Sequence, residues 1–369
     1  MAFSLGSLAE VFSKLTRSFT AKSGKSVIGI DIGLSSIKVV QVSEQKGGAV
    51  LETYGELALG PYANAEVGQA VNLPAEKISE ALVDLFREAN ITSRTGGVAI
   101  PLSASLITVI TLPTRNESDL ASMIPIEARK YIPVPVSEVS LDWFVIPETE
   151  RKFLRANASG RPSNSTDALL VAIRNDTLTK FSAVMKAAAV TAQFYEVEPF
   201  SMARVAYEHT TSPAMLIDLG ASSTRIYIVE FGIIEVSHTV NRGAQDLTLA
   251  LERSGGITFA EAESKKRTRG AIGNEAGIAA LEFIFSEARR IFLTYQRKEG
   301  KSVSHVVLVG VGAGLKGITE IASKFFDARV SLGSPFDKVA TPVFIGDVLK
   351  SAGPSFSSAI GLALRALQN

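Results

Sequence analysis

One stretch of this chain occurs twice, and no other feature of the sequence constrains the fold as strongly. Residues 30–42 read IDIGLSSIKVVQV, and residues 217–229 read IDLGASSTRIYIV. Asp31 aligns with Asp218, Gly33 with Gly220, Ser35 and Ser36 with Ser222 and Ser223, and Lys38 with Arg225. The copies lie too far apart for the period of a solenoid or propeller. The spacing points instead to two related domains that face each other and present the same loop to one ligand between them.

The loop itself names the kind of ligand. Each copy opens with a short apolar run, VIGI or AMLI, and continues as a β-rich run, IKVVQV or RIYIVEF. That is strand, tight turn, strand. Gly33 and Gly220 carry no Cβ, so an anion can approach the main chain closely. Leu34, Ser35 and Ser36, with Ala221, Ser222 and Ser223, can turn backbone N–H groups and hydroxyls toward one phosphate, as an anion nest. The aspartate before each glycine suits a hydrated Mg²⁺, which keeps most of its waters and takes few carboxylates. Asp31 and Asp218 are therefore the candidate metal residues, acting through water. The alternative is two ordinary hairpins with Asp and Gly as turn residues. The matched Ser-Ser pair and the basic residue at the same offset favour a shared phosphate site. Lys38 either neutralises phosphate charge or, by strand alternation, points to solvent.

The length of 369 residues suits two domains better than one core. Hydrophobic residues at 46% and charged residues at 20% are globular values. A formal net charge of +1 gives no reason to expect nucleic acid. The absence of cysteine excludes disulfides, thiolate catalysis and Cys-based zinc sites, and it fits a reducing cytoplasm. His209, His238 and His305 lack metal-ligand spacing. No apolar run reaches the ~18 residues of a membrane span, and the N-terminus lacks the charged start and continuous apolar stretch of a secretory signal. Within residues 1–25, Leu5, Leu8, Phe12, Leu15 and Phe19 recur at helical spacing, with Lys14 and Arg17 off the stripe. This segment is a surface helix that touches a membrane or partner, a helix packed on its own domain, or a tail. Ser23-Gly24-Lys25-Ser26 mimics the end of a P-loop, but Phe19 stands where the first glycine is required and a strand follows instead of a helix.

Periodicity predicts strands at 27–32, 36–43 and 49–58, a helix over 74–89, strands at 97–101 and 105–112, and a helix over 116–131 that Pro125 interrupts or kinks. An extended segment 132–136 and a strand at 139–146 follow. The polar stretch 148–166 reads as a hairpin tip. A strand at 167–174, a helix over 176–188 and a strand at 191–197 come next, with a helix running on from Pro199. After the second hairpin, helical patterns cover 243–253, 258–268 and 276–299. Residues 304–326 read as strand, glycine turn and helix, and 356–367 as a last apolar helix.

Further marks fit a nucleotide cleft. The run Gly310, Val311, Gly312, Ala313, Gly314 ends a buried strand and offers backbone surface to a purine ring. Its late position, without an early βαβ fingerprint, argues against a Rossmann enzyme. Glu263 and Lys266 lie three apart on one helix face and either reach the same ribose or base edge or pair with each other and their charged neighbours. Glu198 sits where a strand gives way to a helix, a usual place for a ligand-facing acid. Gly243, at the start of the first helix after the second hairpin, completes the candidate nucleotide-binding set.

Taken together, the pattern resembles the actin/Hsp70/sugar-kinase superfamily of ATP-binding proteins. The two hairpins resemble its phosphate-1 and phosphate-2 motifs, and LVGVGAGLKGI its adenosine motif. EVEPFSMA and PSFSSAIGLAL resemble its two connecting helices, with Ala359 and Gly361 permitting close crossing. Within the superfamily, IEARKYIPVPVSEVSLDWFVI (126–146), ITFAEAESKKR (257–267) and VEPFSMA resemble the PilM family of type IV pilus assembly proteins. That resemblance implies an α/β, actin-like (ribonuclease H-like) fold of duplicated domains around a nucleotide cleft, with an inserted subdomain of the FtsA/PilM type. It places domain 1 at 26–74 and 176–210 with the C-terminal helix 355–369, the insert at 75–175, and domain 2 at 211–354. It implies ATP and Mg²⁺ in the cleft, with Glu198 near the attacking water and slow hydrolysis at most. It further implies a cytoplasmic protein, peripheral to the inner membrane, that grips the N-terminal tail of a PilN-like membrane protein beside the insert. Other platform proteins, and self-association, complete the expected partners. The amphipathic N-terminus and the polar 148–166 tip depart from the family pattern.

Two competing readings make distinct demands. A small-molecule kinase needs a general-base aspartate near the transferred phosphoryl group, and no recognisable sugar-binding loop supplies one. A filament-forming, FtsA-like division protein usually ends in a membrane-targeting helix after a linker, whereas this sequence places its amphipathic segment at the opposite end.

Overall fold

The computed structural model describes residues 24–114, 116–148, 150, 165–208, 212–270 and 275–368. The amphipathic N-terminal segment, most of the polar 148–166 tip and His209 lie outside the described residues.

Among the described residues the strands form two five-stranded sheets of the same design and a smaller three-stranded one. In the first sheet, β1 (Ser26–Ile32), β2 (Ser36–Gln45) and β3 (Gly48–Ala58) make an antiparallel meander, and β4 (Thr95–Ile100) and β8 (Thr191–Val197) extend it in parallel on the far side of β1, in the order β3-β2-β1-β4-β8. The second sheet repeats this with β9 (Ala214–Leu219), β10 (Thr224–Glu230), β11 (Ile233–Val240), β12 (His305–Val309) and β13 (Arg329–Leu332), in the order β11-β10-β9-β12-β13. The central strands are rich in Val and Ile and buried almost throughout, as expected of strands covered on both faces. The duplicated hairpins of the sequence are thus β1–β2 and β9–β10. Each first strand ends one residue past the aspartate; β2 starts on Ser36, the second serine of its pair, and β10 on Thr224, directly after its pair.

The third sheet has the order β5-β7-β6, from Ser105–Leu112, Thr166–Arg174 and Val139–Val145. Helix α2 (Glu117–Ala128) covers it by burying Leu120, Ile124 and Ala128 against Ile110, Leu112, Leu170 and Ala172. The helix runs through Pro125 rather than stopping there, because this apolar stripe anchors it on both sides of the proline.

Residues 75–100, expected within the inserted unit, belong to the first sheet. Helix α1 (Ala75–Glu88) buries Ile78, Ala81, Leu82, Leu85 and Phe86, packing on β2 and β3. Strand β4 lies between β1 and β8. A Cβ on Gly96 would come 1.7 Å from the Ile28 carbonyl oxygen, and one on Gly97 would come 2.4 Å from the Phe194 ring. The elements set apart from the duplicated sheets are therefore those from β5 to β7.

Two helices, the one that follows β8 and the C-terminal one, join the halves. α3 (Asn175–Ala187) leads back into β8. α4 (Glu198–Ala206) opens on Glu198 itself, with Pro199 next, in the first turn where proline is tolerated. The C-terminal α10 (Ser357–Gln368) packs on β1, β4 and α4. A Cβ on Gly29 would come 1.9 Å from the Ala359 carbonyl oxygen, so strand and helix touch backbone to backbone. Beside this contact, buried Glu196 holds Arg204 at 2.8 Å and also pairs with Arg365, whose guanidinium stacks on Phe194 at 4.1 Å.

Candidate functional site

The β1–β2 and β9–β10 turns face each other across one cleft. Both close in the same way: the Gly33 N–H donates to the Ser36 carbonyl at 3.0 Å, and the Gly220 N–H to the Ser223 carbonyl at 3.1 Å. The narrow end of the cleft, about 70 Å³, is lined by Asp31, Gly33, Leu34, Ser35, Ser36 and Lys38 from one half. Asp218, Gly220, Ala221, Ser222, Ser223, Arg225 and Gly310 line it from the other, with Glu198 on the floor and Ser357 and Ser358 from α10. Ser35, Ser36, Ala221, Val311 and Ser355 also line the wider end, about 470 Å³, so the two spaces are continuous. That larger volume lies within the usual range for small-molecule sites.

The charges at the narrow end differ between the halves. Cross-strand register places Lys38 opposite Asp31 and Arg225 opposite Asp218. Lys38 is only 4% exposed, so it does not point to solvent. It donates to the Ser36 hydroxyl at 2.7 Å and pairs with Glu56 at 3.2 Å. Among the described residues no hydrogen bond or ion pair engages the Asp31 carboxylate. Burial pushes its pKa up and Asp218 adds to the rise, while Lys38 and Arg225 oppose it. Arg225 by contrast stays on its aspartate, with Nη1 3.0 Å from Asp218 and Nε 3.6 Å from Glu198. Glu198 and Asp218 raise the Arg225 pKa further, so it remains a cation. Glu198 accepts from the Leu102 N–H at 3.2 Å. Burial pushes its pKa up to about 7 against the opposing pull of Arg225.

Among the described residues no group of three or more His, Asp or Glu stands ready to hold a metal. The free Asp31 carboxylate fits a Mg²⁺ met through water. Asp218 does not fit as it stands, because Arg225 engages it; it meets a hydrated ion only if that pair opens.

The wider end gathers Glu263 and Lys266 on α6 (Phe259–Arg269). Both sequence alternatives hold at once: the two line the cleft and also pair with each other at 2.6 Å. Thr248 donates to Glu263 at 2.6 Å and accepts from Lys266 at 2.9 Å, while Arg267 reaches Glu263 at 2.8 Å. The glycine-rich run divides. Gly310 and Gly314 line the cleft; Gly312 packs on Leu219 and Ala244, and Ala313 is buried in the second core. Gly310 has φ +86°, and a Cβ there would come 2.3 Å from the Asp218 carboxylate. Gly243 is also absent from the cleft wall. It caps α5 (Ala244–Gly255), where a Cβ would come 2.5 Å from the Ala221 carbonyl, so its role is to seat that helix on the second turn.

The sequence pattern does not place Glu56, Thr248, Gln245, Arg267 or the serines 355, 357 and 358 at the site, and it names Arg225 only as the basic residue that matches Lys38. Only Arg225 left a usable signal, its offset from Asp218 equal to that of Lys38 from Asp31. Gln245 links the halves by accepting from the Ala70 N–H at 2.6 Å.

No helix among the described residues is long and apolar enough to cross a membrane. The chain resembles a structure described as a PilM-PilN type IV pilus biogenesis complex, with a TM-score of 0.78 and 23% identity over 93% of this chain and 99% of the other. It also resembles the ethanolamine utilization protein EutJ from Carboxydothermus hydrogenoformans, with a TM-score of 0.55 and 15% identity over 96% and 98%. A third likeness is to the MamK double helical filament, with a TM-score of 0.51 and 12% identity over 94% and 99%. These likenesses establish the actin-like fold that the family resemblance implies. The model of the family described as type IV pilus assembly protein PilM matches residues 29–367. With nearly its whole length matched, the chain belongs to the PilM family of type IV pilus assembly proteins.

Proposed function

We propose that this chain is an ATP-binding scaffold of the pilus assembly platform, whose nucleotide state sets the shape of a groove for a PilN-like N-terminal tail. The observation that carries the reading is the pair of matched turns facing one continuous cleft, with backbone N–H groups and serine hydroxyls on both sides. Phosphates would lie between Gly33–Ser36 and Gly220–Ser223, and the ribose and base against the Glu263–Lys266 wall near Gly314. Asp31 would hold Mg²⁺ through water, and the ion would neutralise phosphate charge. Family membership and the likeness to a structure solved as a PilM–PilN complex support the partner. The groove would lie beside the three-stranded unit, at the cytoplasmic face of the inner membrane.

Binding energy in this scheme biases a conformational population instead of driving rapid turnover. Retention would follow if Glu198, the acid expected near the attacking water, stays engaged as it is here, buried and 3.6 Å from Arg225. The test is titration of a PilN-like N-terminal peptide with and without Mg-ATP. A change in peptide affinity between the two conditions is expected; no binding in either would end the proposal.

A further inference from the structure

The segment between β3 and α1 reaches across the cleft. Its root lies on the first half. The Leu59 N–H donates to the Ser35 carbonyl and the Val71 N–H to the Leu34 carbonyl, each at 2.9 Å, so both acceptors belong to the β1–β2 turn. Its tip is a β-turn over residues 66–69. The Gln69 N–H donates to the Glu66 carbonyl at 3.1 Å, and Gln69 Oε1 accepts in return from the Glu66 N–H at 2.8 Å. Gly68 stands third in this turn with φ +97°, a conformation that favours glycine.

The tip meets the second half at two points. The Ala70 N–H donates to Gln245 Oε1 at 2.6 Å, in the first turn of α5. Gly68 packs on Glu263 of α6, where an added Cβ would come 2.8 Å from the carboxyl carbon. Val67, Gly68, Gln245 and Glu263 all line the wide end of the cleft. The strap therefore starts on the turn that lines the narrow end and finishes on the wall of the wide end. Both of its ends run into elements packed on the first sheet, so the tip is what lets go when the halves part.

Resting on the nucleotide reading above, we infer that residues 66–70 form a clasp that sets how fast nucleotide leaves the cleft. A ligand held by both walls is released as they separate, and lid opening of this kind commonly limits release. Each opening breaks the Ala70–Gln245 hydrogen bond and withdraws Gly68 from Glu263. The clasp is closed in the chain without ligand, so weakening it eases entry as well as exit. Its loss therefore changes the release rate more than the equilibrium affinity.

The experiment loads the full-length chain with a fluorescent ATP analogue in Mg²⁺ and chases it with excess unlabelled ATP. Gln245→Ala removes the acceptor and should release the analogue about three- to tenfold faster than wild type, the worth of one hydrogen bond. Gly68→Ala adds a Cβ that is strained at this φ and pressed on Glu263, and it should speed release in the same way. In both variants equilibrium affinity should move less than the release rate. The chain has no cysteine, so Ala70→Cys with Gln245→Cys can be joined by a short bifunctional thiol reagent, and joining should slow release relative to the same variant unjoined. Release at the wild-type rate from Gln245→Ala and Gly68→Ala would overturn the clasp while leaving the nucleotide reading intact. So would a joined pair that releases as fast as the unjoined one. Failure of the wild type to bind the analogue at all would overturn the nucleotide reading itself. Should one variant fail to fold, the remaining ones still decide the matter.

Discussion

Gly361 lies directly against Ser201: a methyl group built on Gly361 would come 2.0 Å from the Ser201 carbonyl oxygen. The same crossing brings the hydroxyls of Ser201 and Ser358 to 3.1 Å. Ser358 and Ser357 line the cleft from α10, and Glu198 lines it from the first turn of α4. The spacing of these two helices therefore sets the floor of the narrow end of the cleft. Gly361→Ala cannot be absorbed by a side-chain rotation, because the obstacle is backbone. It should cost about 1–3 kcal/mol, the usual range for overpacking, and it should weaken nucleotide binding as the floor shifts. Gly346→Ala, with nothing within 4 Å of its Cβ, is the matched control and should leave both unchanged. Thermal melts and nucleotide titration of the two variants check this, and equal behaviour would refute it.

Glu196 is the hub of a buried charge cluster, holding Arg204 and Arg365 on two different helices. The two arginines keep its carboxyl below the usual range despite burial. Removing one member of a buried ion cluster leaves uncompensated charge, which typically costs about 3–5 kcal/mol. Glu196→Ala should fall in that range by urea denaturation. Replacing Arg204 and Arg365 as well, by Met, should recover part of the loss. A single variant as stable as wild type would mean that water reaches the cluster.

Much of this architecture is legible in the sequence because the two hairpins carry strong local signals. A β-branched run, an aspartate, a glycine and paired serines specify strand and turn without outside help. Once two copies exist, a shared cleft is the economical arrangement. The membership of strand 95–100 was not legible, since its pattern is the same whichever sheet receives it. The tell-tale residues are Gly96 and Gly97, which admit the Ile28 backbone and the Phe194 ring, but neighbours of that kind appear only in the folded chain. The sequence pattern makes Gly243 and Gly312 ligand-facing, whereas in the fold both are small for packing reasons. A glycine pressed against a carbonyl and one pressed against a phosphate look alike in one dimension. Lys38 and Arg225 sit at the same offset and in the same register, yet take different partners. Glu56 on β3 draws Lys38 away, and Glu198 on α4 helps retain Arg225.

Asp31→Asn tests the division of labour between the two aspartates. Among the described residues no cation pairs with Asp31, so its replacement would remove repulsion toward phosphate as well as a carboxylate that fits a hydrated metal. Affinity for nucleotide in EDTA should stay equal or rise by a few-fold, and the gain on adding Mg²⁺ should shrink. Asp218→Asn should behave otherwise, because it releases Arg225 from its 3.0 Å partner and should lower the melting temperature even without nucleotide. The same measurements on both variants, with identical outcomes, would show that the asymmetry has no functional weight.

Glu198 gives the fold a pH dependence of definite sign. Burial raises its pKa from 4.5 to about 7. Between those values the folded chain holds a proton that the unfolded chain has released, so stability declines with rising pH wherever the native state binds more protons. The contribution is full below 4.5 and is lost as pH climbs through about 7. Glu198→Gln keeps an oxygen that can accept from the Leu102 N–H but cannot titrate. Its melting temperature should therefore vary less than that of wild type between about pH 5 and pH 8, with the curves closest at the acid end and the wild type falling away from the variant toward the alkaline end. Arg225 retains Asp218 in this variant, so the cluster keeps its cation paired. Parallel curves across the range would show that Glu198 is ionised throughout and that the Arg225 charge outweighs burial.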